Sequence, residues 1–440
     1  MTNSMCGSGA HWCARADAIF DVSDLHVVEV HQDDYGRLVL TVESDAIQAG
    51  CPSCGVLAAG HGRRIRELHD APCFGRVSIV RWLKRVWRCR EALCPTGVFS
   101  ETHPIAPPRA VLTVRAVRWA TDALTHHDTT VSALARQLGV DWHTAWSAIR
   151  VEAHARVGDP DRLRQVQTLG VDEHIWRPSR IGVDRAVTIM VDLTRDQDGC
   201  LHARLLDAVV GRSGTVYKNW LDAQPDGFVA GVQAAALDPF RGYANAIRDG
   251  LPDAVAVLDA FHVVRLGTQV VDEVRRRVQQ DTLGRRGHKD DPLYKIRGLL
   301  RHGVEHLTEK QQAKLSHCLD AGDPADEVNV AWQCYQQLRS IYHATPGRGR
   351  EIAVKVLDSF HSCPIPEVAR LGRTLRAWRA QVLAYFDTSG VSNGGTEAIN
   401  LIIEKVRRLG HGFRHFGNYR LRILLAADGS RPYRKSRNHP

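Results

Sequence analysis

Four apolar runs in this chain each close on an aspartate: residues 168–172, 186–192, 232–238 and 254–259. Short runs rich in Val, Leu, Ile and Ala read as strands buried in a sheet. A fifth strand-like run, Leu201–Val210, lacks the terminal acid, and residues 213–221 and 241–249 read as helices. Three strands therefore follow one another in hairpin-like succession, and helix and strand alternate after them. No G-x-G-x-x-G loop follows the first strand, which argues against a doubly wound dinucleotide fold.

That order is the order of an RNase H-like core. Strand-terminal carboxylates suit phosphodiester chemistry, in which two Mg²⁺ ions activate an attacking oxygen and stabilise the leaving one. Mg²⁺ prefers hard oxygen ligands and keeps several waters, so two or three acids suffice. Asp172 on the central strand and Asp238 on a neighbour are the first two candidates, with Asp259 an alternative for the second. The third is Glu397, in a helix over residues 393–408 capped by Ser392 or Asn393. Ala398, Leu401, Ile402, Lys405 and Arg408 are expected along the face that packs on the sheet. Asn393, Glu397 and Asn400 recur at i, i+4 and i+7, a polar stripe aimed at the metals.

Upstream, residues 24–44 read as a β-hairpin about the turn Asp33–Gly36. Cys51-x-x-Cys54 and Cys89-x4-Cys94 have the form of a four-cysteine structural zinc site. The strand 77–88 carries Arg81, Lys84 and Arg85 between Trp82 and Trp87, which reads as a phosphate contact or as a solvated face over two core tryptophans. Pro104–Pro108 marks a boundary. Residues 130–149 then fit a helix-turn-helix or a plain helical hairpin: Val131, Leu134, Ala135 and Leu138 form one apolar face, Gly139 turns the chain, and Asp141 caps the second helix. In the helix-turn-helix reading Trp142, His143, Thr144 and Ser147 face a major groove.

The formal net charge of +9 is unevenly spread. Residues 1–59 carry −6, residues 60–120 carry +8 and residues 398–440 carry +8, so residues 121–397 are close to neutral. Two basic blocks imply a polyanion held at particular places. Arg414 and Arg420 lie in the second block, among three aromatics and several glycines. No stretch is apolar enough to span a membrane, the first twenty residues lack a signal-peptide core, and eleven cysteines is an odd number. A cytoplasmic, nucleoid-associated protein with reduced thiols is expected.

These landmarks together resemble the ISL-three family of bacterial insertion-sequence transposases across nearly the whole chain. The match rests on the two cysteine pairs, the helix-turn-helix, GVDEH at 170–174, LDPFRGY at 237–243, LDAFHVVRL at 258–266 and the long block at 392–425. The resemblance implies a DDE transposase using Mg²⁺ or Mn²⁺, with Asp172, Asp238 and Glu397 as its acids. It also implies that Asp259 and His262 lie near the active site. Its expected partner is double-stranded DNA, at terminal inverted repeats and at the target, bound by a homodimer or higher multimer. A DNA-binding regulator with a silent core is the alternative function.

The expected organisation is a zinc module (1–103), a helix-turn-helix domain (104–160) and an RNase H-like mixed-sheet core in two parts (165–262 and 391–428). An all-helical insertion (263–390) divides the core, and a disordered basic tail (429–440) ends the chain.

Overall fold

The computed structural model describes residues 14–177 and 185–430. Most of the expected basic tail, residues 431–440, lies outside them.

Helix α1 (Ala14–Phe20) precedes the expected hairpin of β1 (Leu25–Gln32) and β2 (Leu38–Ser44). Asp33 closes its turn by accepting the Arg37 N–H at 2.9 Å, and Gly36 takes φ +75°. Strand β3 (Ala59–Cys73) pairs antiparallel with β4 (Arg76–Arg88), β2 runs parallel to β4, and short β5 (Val98–Ser100) completes the sheet. The sequence gives little sign of β3. Its first half is charged and exposed, and the β4 ladder holds it extended from Ala59↔Arg88 to Cys73↔Arg76. Trp82 and Trp87 are both core residues.

Three helices follow: α2 (Val114–His126), α3 (Val131–Leu138) and α4 (Trp142–Val157). Thr130 caps α3 by accepting from Ala133, and Asp141 caps α4 by accepting from Thr144. Each such cap contributes about 1 kcal/mol. Gly139 turns the chain at φ +69°, and a Cβ there would lie 2.6 Å from Val77 Cγ1. Leu134, Leu138, Ala145 and Ile149 bury the shared apolar face.

The central sheet contains β6 (Thr168–Ile175), β7 (Ala186–Asp192), β8 (Arg204–Val210), β9 (Ala234–Leu237) and β10 (Val255–Leu258). Its spatial order is β10-β9-β6-β7-β8. Strands β6, β7 and β8 are antiparallel in turn, whereas β9 and β10 run parallel to β6. The connections after β8 and β9 carry α5 (Gly214–Asp222), α6 (Asp226–Gly231) and α7 (Arg241–Gly250).

From Ala260 to Asp387 every described element is helical. α8 (Ala260–Leu283) is followed by α9 (Pro292–Lys295), α10 (Glu309–Gly322), α11 (Glu327–His343), α12 (Pro346–Ser359), α13 (Pro366–Ala377) and α14 (Arg379–Asp387), with short 3₁₀ turns between them. α13 and α14 are separated by a break at Trp378, whose ring is buried beneath the Arg241 guanidinium. α8 runs without interruption through 262–263, where the sequence suggested a division.

The chain returns to the sheet with α15 (Gly394–Leu409) and α16 (Phe416–Ala426). One sheet face packs on α5, α7 and the helical region, and the other on α15 and α16. Leu421 and Leu425 of α16 also enter the core of the α2–α4 unit. One helix thus joins the small helical domain to the sheet.

Candidate active site

The strand register collects the acids. Gly170 pairs with Ala236, and Leu237 pairs with Leu258. Continuing both ladders brings Asp172, Asp238 and Asp259 level at one edge of the sheet. Asp192 ends an equally apolar strand, but β7 is antiparallel to β6, so it emerges at the opposite edge and pairs with Arg204 at 2.8 Å.

Helix α15 crosses this edge because Gly170 admits it. A Cβ on Gly170 would lie 2.5 Å from Thr396 Oγ1 and 2.7 Å from Asn393 Oδ1. The face of α15 that packs on the sheet is Ile399, Ile403 and Val406, each contributing about 1.5–3 kcal/mol. This corrects the expected face in part: Ile402 packs against the same core, but Ala398 is exposed and Leu401 points to solvent at 74% exposure.

Asn393 stands at the N-cap position without capping the helix through its side chain. Its Nδ2 donates to the Val171 carbonyl at 3.1 Å, its Oδ1 accepts from Thr396, and its backbone N–H donates to Asp259 Oδ1 at 2.7 Å. It therefore anchors the helix start to β6 and to the end of β10. Glu397 follows in the first turn, half-buried.

Asp172 is buried. Its Oδ1 accepts the Glu173 N–H, and its Oδ2 accepts from Asn400 Nδ2 at 2.7 Å. Burial, with the nearby charge of Glu397, raises its carboxyl above the usual range. Asp238 is pushed up to about 7, by burial first and then by the charge of Asp172. Burial alone would lower the His262 ring, but its hydrogen bond to Asp259 and the surrounding carboxylates raise it instead.

His262 Nδ1 lies 3.0 Å from both Asp238 Oδ1 and Asp259 Oδ2. It hydrogen-bonds only Asp259, so Asp238 Oδ1 is buried without a donor. Asp259 is fully engaged: Oδ1 takes the Asn393 N–H, and Oδ2 takes the backbone and ring of His262.

The four expected cysteines converge elsewhere. Cys51 Sγ lies 3.6 Å from Cys94 Sγ, and Cys54 Sγ lies 3.5 Å from Cys89 Sγ. Four thiolates around zinc at about 2.3 Å sit about 3.8 Å apart, which is close to this spacing. Among the described residues this is the one group of three or more His, Cys, Asp or Glu whose ligand atoms all lie within 4.8 Å of one another. The acids at the sheet edge are more widely spread.

Of the expected nucleic-acid contacts, Trp142, His143 and Ser147 are exposed on α4, and Thr144 is half-buried. On β4, Arg81 pairs with Glu67, Arg85 donates to the Ser44 carbonyl, and Lys84 lies over the Trp82 ring. In the second basic block Arg414 is exposed, whereas Arg420 pairs with Asp207 at 2.6 Å. No helix among the described residues is long and apolar enough to cross a membrane.

Residues 169–423 match the ISL3 DDE family model described as "Transposase", and residues 101–150 match the "Helix-turn-helix domain of transposase family ISL3". The chain is 24% identical, over 94% of both chains, to the transposase for insertion sequence element IS1557 of Mycobacterium tuberculosis. It is 25% identical to the transposase for insertion sequence element IS1001 of Bordetella parapertussis, over 92% of this chain and 95% of that one. Among solved structures, the Drosophila P element transposase strand transfer complex aligns with a TM-score of 0.40 at 10% identity, covering 71% of this chain and 91% of the other.

Proposed function

The chain belongs to the ISL3 family of transposases, and from that premise we propose that it binds the terminal inverted repeats of an insertion sequence and cleaves and transfers their DNA strands. The observation that carries this reading is the sheet edge where Asp172 and Asp238 come level beside the charge of Glu397. The strand order supports an RNase H-like core. The helices from Ala260 to Asp387 then form an insertion between two parts of that core.

Asp172, Asp238 and Glu397 are the residues to hold Mg²⁺ or Mn²⁺. The donor set fits such an ion. Asp238 Oδ1 is buried without a donor, and both Asp172 and Asp238 have carboxyls raised by burial that a cation would keep ionised. Asp259 has no free oxygen, which favours Asp238 over Asp259 as the second ligand. When bound, two such ions supply an activated attacking oxygen and a stabilised leaving oxygen for in-line displacement.

The chain's own residues set the stage for that chemistry. Asn400 fixes the rotamer of Asp172, and Asn393 fixes the start of the Glu397 helix. His262 is a positioning residue: held by Asp259, it sets its ring beside Asp238, where the surrounding carboxylates favour its protonated form. Cys51, Cys54, Cys89 and Cys94 hold a structural zinc ion. Helix α4 reads the major groove through Trp142, His143, Thr144 and Ser147, and Arg81, Lys84, Arg85, Arg414 and Arg420 lie along the DNA path. The active form is a homodimer or higher multimer on DNA, in the cytoplasm at the nucleoid.

The test is cleavage of a duplex carrying the element's end, in Mg²⁺, by wild type and by Asp172→Asn. Wild type is expected to nick at the transposon end and the variant to bind without nicking. Equal behaviour of the two refutes the catalytic assignment.

A further inference from the structure

A cleft of about 950 Å³ separates the α3–α4 pair from the turn between α15 and α16. Trp142, His143 and Ser147 of α4 line one wall. Arg136 and Arg150 reach it from the helical domain, and Arg414 and Arg422 from the opposite side. No aspartate or glutamate lines it.

Arg422 is the unusual member. It is 7% exposed, yet among the described residues no acid or carbonyl partners its guanidinium. Every other lysine or arginine on α15 and α16 has an acid: Lys405 has Asp128, Arg407 and Arg408 share Glu404, and Arg420 has Asp207. A buried charge without a counter-ion is costly, and the native fold normally pairs it. Desolvation pulls this guanidinium down to about 10, and no acid offsets it. Arg136, Arg150 and Arg414 also lack acid partners among the described residues. Four uncommitted arginines therefore converge from two domains on one acid-free cleft, and one of them is already desolvated.

We propose that this cleft is a site for the phosphodiester backbone of duplex DNA, with Arg422 as its buried anchor. The inference rests on the proposed function and adds a coupling to it. The helix that reads DNA and the helix that covers the catalytic sheet grip one and the same backbone segment. Arg422 suits an anchor because a planar guanidinium donates two parallel hydrogen bonds to a phosphate, and a site already stripped of water strengthens them. Phosphate contacts position the duplex without reading its sequence.

The experiment uses the full chain and a 40-base-pair duplex of arbitrary sequence, with binding followed by anisotropy across a salt series. Arg422→Met is expected to bind about tenfold more weakly, and its slope of log affinity against log salt is expected to fall by about 1. The same variant, free of DNA, is expected to melt at a higher temperature than wild type, because an unpaired buried charge has been removed. Arg150→Gln provides a second arm at an exposed position, with the slope reduced by about 1 and the melting temperature unchanged. An unchanged slope in both variants overturns the proposal, and a lower melting temperature for Arg422→Met with an unchanged slope marks Arg422 as structural. Failure here is distinct from failure of the catalytic reading. Wild type that nicks the end duplex while Arg422→Met and Arg150→Gln bind normally refutes only the cleft.

Discussion

The chain contains two sets of candidate metal ligands, and they are prepared in opposite ways. The four cysteine sulfurs are gathered within 4.8 Å, held by two knuckles that sit on one β-sheet. The acids Asp172, Asp238 and Glu397 do not gather so tightly as a set of three: Asp172 accepts from the Glu173 N–H and from Asn400, and Asp238 Oδ1 is buried without a donor. Neighbouring thiols share their protons and can pack closely: hydrogen bonds lower Cys51 to about 6, while its sulfur neighbours raise Cys54 and Cys89 and keep them neutral. Carboxylates repel, so a fold must hold them apart or keep one protonated. The first arrangement suits an ion that is part of the fold, and the second an ion that comes and goes with substrate.

The largest effect that separates the two sites should come from zinc. Structural zinc in small modules is worth about 10–16 kcal/mol of apparent binding energy, most of it expressed as folding. Cys51→Ser is therefore expected to lose the ion and the cooperative melting of residues 14–100, with elemental analysis and circular dichroism as the readouts. An apo module that melts like wild type would break the contrast from this side.

Next in size is the loss of chemistry at the acids. Asp172→Asn or Asp238→Asn should lower strand cleavage by about 10³-fold, corresponding to roughly 4 kcal/mol of transition-state stabilisation. Folding and duplex binding should stay intact, as measured by melting temperature and anisotropy.

Within the acid set, Asp259 and Asp238 should differ in sign. Asp259→Ala strips the Asn393 N–H and both His262 donors of their acceptor, and is expected to cost about 2–4 kcal/mol in denaturant unfolding. Asp238→Asn removes a crowded charge and should be neutral or slightly stabilising without metal. Equal losses in both variants would dissolve the distinction between a positioning acid and a ligand.

The smallest effect is a pH dependence. Asp238 ionises at about 7 in the folded chain, against 3.8 as an unperturbed side chain. The folded state holds the extra proton between those values. Its contribution to stability is present at low pH and is lost as pH rises from about 4 to about 7. Asp172, also raised, acts in the same direction. Mg²⁺ should lift the melting temperature of the core at pH 8 and scarcely at pH 5, and Asp238→Asn should flatten the profile. A Mg²⁺ effect independent of pH contradicts the assignment of these carboxyls.

What could be read beforehand divides along the same line. The cysteine pairs, the caps Thr130 and Asp141 and the turn glycine Gly139 are local signals, because each acts within a few residues of its own position. Asp192 and Asp238 end runs of nearly equal apolarity, yet strand direction sends one to Arg204 and the other to the acid cluster. Strand β3 could not be recognised, since its charged first half gains its extended form from the β4 ladder. Arg420 and Arg422 sit two residues apart on one helix. Asp207, more than 200 residues upstream, neutralises the first, and nothing described neutralises the second.

By itself, then, the sequence determined most element types apart from β3, the two ligand chemistries and the family, because periodicity, capping and thiol spacing are written in short stretches of chain. Only the tertiary structure decided which strand-end acids meet, that Asp259 serves the frame while Asp238 keeps a free oxygen, and which arginine remains unpaired in a cleft. Those outcomes depend on register, strand direction and burial, which arise when residues distant in the chain compete for the same partners.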